Sequence, residues 1–374
     1  MHIRVERDTL AQAVTWAART LPSRPSMPVL SGVMLIAGQD SLTLSSFDYE
    51  ISARVNIVVD VLESGKALVS GRLLADITKS LPAAPVVVKL EGNRVFIECG
   101  RSSFTLPTLP VEDYPALPEM PVTAGNVDGD VFAEAVAQVA IAAGKDDTIP
   151  VLTGIRMEID GVNITLAATD RYRLAVRTFP WSPTKTSIEL NTLIPARILA
   201  DAAKSMGSAK TVELAIAPDG EKLIGFEAEG MRTTTRLLDG EFPKYRSLLP
   251  NESSTTAIVD TTELVNAVKR VALVAERNTP IRMNFIDGEI HMRAGSGDDA
   301  QANEIIEVDL EGDPIEIAFN PGYLLDGLNA IDAPKVQFSF TLATKPAVMT
   351  GMTNDKKDMQ ADYRYLLMPV RLTG

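Results

Sequence analysis

Apolar residues in "DTLAQAVTWAART" fall at Leu10, Ala13, Val14 and Ala17, the spacing that gathers one face of a helix, with Asp8 or Thr9 placed to cap its first turn. Further on the period drops to two. "DSLTLSSF", "NITLAATD" and "KALVS" alternate apolar with polar positions, and "VVVKLEG" runs β-branched, so each predicts a strand. The whole pattern then starts again. "PVLSG" at 28–32 returns as "PVLTG" at 150–154, the same 122-residue offset that relates Leu10 to Phe132. A fainter third copy runs from "VDTTELVNAVKRVALVAERNTPIRMNFIDGEIHMRA" at 259–294. "SGRLLADITKSL", "PARILADAAKSM" and "NPGYLLDGLNAI" repeat the second half of the unit, predicting helices over 71–81, 195–210 and 320–331 beside those over 8–24, 130–145 and 262–277. Joins rich in Pro, Gly, Ser and Thr fall near 120–127 and 250–258, which predicts repeats at 1–122, 123–252 and 253–374. Helices bracketed by antiparallel strands make each an α+β unit with its helices on one face of a sheet.

Composition narrows the picture. With 374 residues the chain exceeds one ordinary core, and 45% hydrophobic against 23% charged residues suits a globular protein with no membrane partner. Cys99 stands alone, which excludes an intrachain disulfide, and "MHIRVERDTL" has no apolar signal core, so the expected location is the cytoplasm. The net charge of −13 argues against nucleic acid unless positive charge gathers on one surface. It does gather: the six helical windows hold 11 basic and 8 acidic residues, a net +3, leaving −16 elsewhere. Arg72 and Lys79, and again Arg197 and Lys204, lie seven apart on one helix face at equivalent positions of two repeats. Such faces suit contact with phosphates without regard to sequence, or simply with water.

Chemistry is scarce. His2 and His291 are the two histidines, and no P-loop, zincin, paired-cysteine or nucleophile-elbow motif occurs, so neither a metal nor another cofactor is expected. "GSGDDA" at 295–300 is followed by a strand where a dinucleotide loop needs a helix. The adjacent acids Asp146–Asp147 and Asp298–Asp299 leave open a metal-dependent nucleotide-processing enzyme, and a monomeric peptide-binding scaffold is a third reading.

Three tandem repeats, together with "NITLAATDRYRLAV", "DGEFPKYRSLLP" and "YRYLLMPVRL", resemble the bacterial sliding clamps, the β subunits of DNA polymerase III. That resemblance implies a non-catalytic processivity factor. Two chains would close head to tail into a six-domain ring around duplex DNA and tether the polymerase III α subunit, a clamp loader, and other polymerases and repair proteins through short peptide motifs. The peptide pocket it implies comprises Leu152, Thr169, Arg171, Tyr172, Arg173 and Leu174, with Pro243, Ser247 and Leu248, and with Leu367, Met368, Pro369, Val370 and Arg371. Arg171, Tyr172 and Ser247 depart from the Gly, His and Arg frequent in the family. For DNA the resemblance matches Arg24, Arg72, Lys79, Lys145, Arg197 and Lys204. For the dimer seam it matches Arg101, Phe104 and Leu106 with Leu273 and Val274, and Asp298, Asp299 and Glu304 supply acidic partners for the basic end of the first repeat. Aligned on "LSSFDYEISARV", the stretch "ATDRYRLAV" puts Arg171, Tyr172 and Arg173 where the first repeat has Tyr49, Glu50 and Ile51, which makes the middle repeat the expected docking site.

Overall fold

Three times along the chain a strand leads into a helix, five strands, a second helix and three more strands. This is the order that the periodicities require. The computed structural model describes residues 1–217, 222–250, 252–275, 279–295, 300–353 and 359–371, the side chains of 359–361 excepted. Its helices are α1 (Arg7–Ala18), α2 (Gly71–Ser80), α3 (Gly129–Ala140), α4 (Ala196–Met206), α5 (Thr261–Ala272) and α6 (Pro321–Ala330).

The first compact unit contains Met1–Asp130, Ser182–Lys185 and Lys204–Leu237. It is built on one sheet of 14 described strands, all of whose pairings are antiparallel. The sheet crosses the join between the first two repeats where Met231–Arg236 pairs with Ile51–Val58, from Met231↔Val55 to Thr235↔Ile51. Helix α1 buries Leu10, Ala13, Val14, Trp16 and Ala17 against α2 and the strands Ser41–Phe47 and Ile51–Val58. Trp16 keeps its indole N–H satisfied on the Arg54 carbonyl, 3.3 Å away.

The second unit, Val131–Trp181, Thr186–Ala203 and Leu238–Gly374, holds sheets of nine and four described strands. The same crossing recurs. Met359–Leu367 pairs with Arg173–Pro180, from Arg173↔Leu367 to Arg177↔Tyr363. In both units, then, the last strand of one repeat joins the third strand after the first helix of the repeat before it. Helix α5 is capped by Asp260, whose carboxylate accepts the Glu263 amide at 2.9 Å, and α6 by Asn320, which accepts the Tyr323 amide at 3.1 Å.

Two expectations need correction. The first helix begins at Arg7 and has Glu6 at its cap without a side-chain bond, so neither Asp8 nor Thr9 caps it; Asp8 instead lies in the first turn, where its charge suits the helix dipole. The helices also end earlier than their windows, α1 at Ala18 ahead of Pro22 and Pro25, and α4 at Met206 ahead of Gly207. The six helices consequently carry seven basic and seven acidic side chains, and Arg19, Arg24, Lys145 and Lys210 lie in the loops that follow helix ends. Positive charge is therefore a property of these helix-and-loop edges rather than of the helices alone.

Candidate functional site

The stretch 169–173 is a tight turn between the strands Asn163–Thr169 and Arg173–Pro180. Asp170 makes it: one carboxylate oxygen accepts the amides of Tyr172 at 3.0 Å and Arg173 at 3.1 Å. Thr169 donates its hydroxyl to the Arg173 carbonyl at 2.7 Å and accepts the Arg171 amide at 3.2 Å. Arg171 holds φ at +80°, a left-handed conformation unusual for a long side chain, and it stands out into solvent.

The Arg-Tyr-Arg cluster divides. Arg171 and Tyr172 are exposed, whereas Arg173 is 5% exposed. It fills the inward slot that Ile51 fills in the first repeat. A buried guanidinium there needs partners, and they are present. Its Nε donates to Asp170 at 3.0 Å, its Nη1 donates to Asp326 on α6 at 2.6 Å, and its charge sits 4.3 Å from the centre of the Tyr323 ring. Burial works against its charge, but the bond to Asp326 and the other neighbours outweigh burial and raise its pKa. Tyr172 stacks on Tyr323 with ring centres 6.2 Å apart. Tyr323 and Asp326, three residues apart on one helix face, escaped notice in the sequence. Their i,i+3 spacing was visible, but not that this face meets the turn.

Three segments converge here. Leu174, Val176, Leu366 and Val348 form one apolar cluster with Phe242 and Tyr245, and Val151, Leu238 and Leu249 pack against it half-buried. The C-terminal segment is held by main-chain bonds: the Met368 amide donates to the Tyr172 carbonyl at 2.9 Å and the Val370 amide to the Ala318 carbonyl at 2.8 Å. Of the residues expected in a pocket, Leu152, Thr169, Leu174 and Leu367 are buried. Arg171, Tyr172, Pro243, Ser247, Leu248, Met368, Val370 and Arg371 are exposed, and Pro369 is half-buried. The arrangement is an apolar surface of Leu, Met, Val and Pro with cations at 171 and 371, suited to an apolar peptide side chain beside a carboxylate.

The flank carrying Ser247 and Leu248 is latched to the sheet. Arg246 bonds Glu158, Tyr245 donates its hydroxyl to Glu158 at 3.0 Å, and Arg156 Nε donates to it at 2.6 Å. Burial pushes the Glu158 carboxyl up, but these donors more than offset it and hold the group below its ordinary range; burial and that carboxylate push the Tyr245 phenol up to about 12. A carboxyl whose folded pKa lies below the unfolded one stabilises at neutral pH and loses that contribution as the pH falls through the carboxylate range. Glu158→Gln is therefore expected to cost about 1 kcal/mol at pH 7 and progressively less as the pH falls through the carboxylate range, which melting temperatures at neutral and acid pH will check.

The cationic positions are exposed. Arg72 and Lys79 lie on α2, Arg197 and Lys204 on α4, Lys145 in the loop after α3, and Arg24 in the loop after α1. Arg72 donates to the Pro22 carbonyl at 3.0 Å and so steadies the loop that carries Arg24. Among the residues expected at a seam, Leu273 is 84% exposed and follows α5, Phe104 is half-buried, and Leu106 is buried within its own unit. Arg101 and Val274 flank these positions, and Glu304 is engaged by Arg270. Asp298 and Asp299 lie outside the described residues. Asp146 accepts both the amide of Thr148 at 3.0 Å and its hydroxyl at 2.7 Å, as a turn-forming aspartate does. No three metal-ligating side chains converge among the described residues, and no described helix is long and apolar enough to cross a membrane.

Comparison with known proteins covers the whole length. The family models of the N-terminal, central and C-terminal domains of the DNA polymerase III beta subunit match residues 1–118, 126–244 and 246–371. The chain is 57% identical over 376 residues to the beta sliding clamp of Streptomyces coelicolor, with 100% of both chains covered. Among solved structures, the DNA polymerase sliding clamp of Bacillus subtilis superposes with a TM-score of 0.91 at 26% identity, covering 100% of this chain and 99% of that one. The Pseudomonas aeruginosa clamp, solved bound to griselimycin, superposes with a TM-score of 0.91 at 26% identity over 100% of both chains.

Proposed function

The chain belongs to the family of DNA polymerase III beta subunits, the sliding clamps, and from that premise we propose that it is the non-catalytic processivity factor of a replicative polymerase, acting in the cytoplasm as a ring around duplex DNA. The observation that carries the ring is the strand left over at each end. The last strand of the second repeat pairs with Ile51–Val58 and that of the third with Arg173–Pro180. The last strand of the first repeat, Ser102–Leu109, has only Thr108 and Leu109 paired on its outer side, and the strand of the third repeat equivalent to Ile51–Val58 and Arg173–Pro180, Ala302–Glu307, is an edge of the described four-stranded sheet. One copy's free edge suits the other's. The contact is heterologous, and two chains of three repeats close it where an open geometry would make filaments.

Repeats 1–122, 123–252 and 253–374 become the three domains of each chain. Arg24, Arg72, Lys79, Lys145, Arg197 and Lys204 hold DNA through its phosphates, strongly enough to stay and without a base to stop at. The groove about Tyr172, Leu248 and Met368 captures peptide tails of the polymerase α subunit, the clamp loader and repair proteins, so that a partner works at raised effective concentration at the primer end. Arg101 and Phe104 face Leu273, Val274 and Glu304 across the seam, and Leu106 is buried within its own unit. The protein is expected to remain on nicked circular duplex DNA after loading and to leave once that DNA is cut to a linear form, as gel filtration of the complex will read. Equal retention on both forms would remove the encircling ring.

A further inference from the structure

The latch on Glu158 is more than a repeat needs in order to fold. The strand Gly154–Asp160 repeats Gly32–Gly38 at the 122-residue offset, since Glu158 lies opposite Thr165 as Ile36 lies opposite Thr43. Met34 and Ile36 therefore stand in the first repeat where Arg156 and Glu158 stand in the second. Tyr114 of "EDYPALP", the counterpart of Tyr245 in "PKYRSLLP", packs on the apolar cluster of Val29, Leu30, Met34 and Leu68, and Pro115 follows it where Arg246 follows Tyr245. The first repeat thus fastens this segment with no charged group at any of these positions. The second places there a carboxylate, 15% exposed, under donors from Arg156, Tyr245 and Arg246. Withdrawing a charge from water costs free energy that the same fold does without in the first repeat.

What the latch fixes is one turn. Tyr245–Leu248 is a single 3-10 turn, in which residues three apart stand one above the other. Tyr245 packs in the apolar cluster with Leu174, Val176 and Leu366, so Leu248 rises over that cluster, 48% exposed. Arg246 points the other way, bonded to Glu158 and 5.4 Å from the centre of the Tyr245 ring. Glu158 consequently grips the turn at two consecutive residues, a phenol and a guanidinium, and the second grip removes the rotation that one would leave. At the start of the turn Ser247 donates its hydroxyl to the Lys244 carbonyl at 2.8 Å.

We propose that Glu158 is a positioning residue for the peptide groove, which acts through Tyr245 and Arg246 to set Leu248 as a fixed wall for an apolar peptide side chain. The role rests on the groove's taking peptides at all. A wall already in place spares the bound peptide the cost of ordering it, so the latch acts on affinity as well as on stability. Arg246 belongs to the same device and touches no peptide itself.

The test uses the full-length protein with labelled leucine and methionine methyls, titrated well below its melting temperature with the uncharged probe acetyl-Ser-Leu-Phe-amide. In the parent the probe is expected to shift Leu248 and Met368 together, with a Kd on the order of 1 mM. Glu158→Gln and Arg246→Gln should each weaken it at least about fivefold, and the double variant should bind no more weakly than Glu158→Gln alone, because one latch is broken only once. Glu158→Ile, which copies Ile36 of the first repeat, should fold and weaken the probe likewise. Variants that melt lower but bind as the parent does overturn the positioning role and leave the groove reading intact. Losses that multiply in the double variant overturn it too, since the two residues would then act independently. A parent in which the probe shifts neither methyl removes the groove itself, and the role with it.

Discussion

Replacing Arg173 by Ala is expected to lower the melting temperature by roughly 5–10 °C and to weaken peptide capture at least about tenfold, the largest single-residue effect foreseen at the groove. The side chain is 5% exposed and holds two carboxylates, Asp170 and Asp326, together with the ring of Tyr323. Without it Asp170, 14% exposed, keeps a charge in a half-dry place, whereas Asp326, half exposed, can turn to water. The loss is therefore about 2–3 kcal/mol rather than the larger figure of a fully buried pair. Function suffers for a related reason. Tyr172 rests on Tyr323 and receives the Met368 amide, so slackening the Arg173 contacts loosens the wall and the C-terminal segment together. Arg173→Ile, which copies the first repeat, fills the volume but still strands Asp170, and should recover only part of the stability. Thermal denaturation and fluorescence polarisation of an acidic peptide read the two effects separately. A variant that melts with the parent would show that the ion pairs are ornamental.

The repeat was legible because it is written in periodicities, which depend only on the neighbours of each residue. Leu10 and Phe132, or the two "PVL" segments, announce themselves without tertiary knowledge. The exposed faces of α2 and α4 were legible for the same reason, since Arg72 with Lys79 and Arg197 with Lys204 need only the helical pitch to be placed together. Helix ends were harder, because Pro22 and Gly207 stop a helix whose apolar spacing could continue. Arg173 was the harder case still. A cation between Tyr172 and Leu174 reads as a rim charge, and only the approach of Asp326 and Tyr323, some 150 residues away, makes an inward guanidinium affordable. Ile51 in the equivalent position hinted at the slot's inward direction, but the hint becomes decisive only when the turn geometry of both repeats is known.

The second large effect is expected at Leu273. Its side chain is 84% exposed after the end of α5, and Ile305 on the edge strand Ala302–Glu307 is 57% exposed, two apolar side chains that a single chain leaves to water. Burying a leucine is worth about 2 kcal/mol, and placing a carboxylate there instead adds a desolvation cost of similar size. A two-chain ring has two identical seams, so Leu273→Asp acts twice on one dissociation. Some 4 kcal/mol at each seam becomes about 8 kcal/mol on the dimer, or a factor of more than 10⁵ in its Kd. Light scattering should then give the mass of one chain, about 40.3 kDa, in place of two. Because the replaced side chain packs against little within its own chain, the circular dichroism spectrum should stay that of the parent. Retention on nicked circular DNA should vanish with the dimer while the short peptide still binds the second unit's groove, which separates the closed ring from the docking surface it carries. A variant that remains dimeric with full retention would move the seam away from Leu273 and the strand Ala302–Glu307.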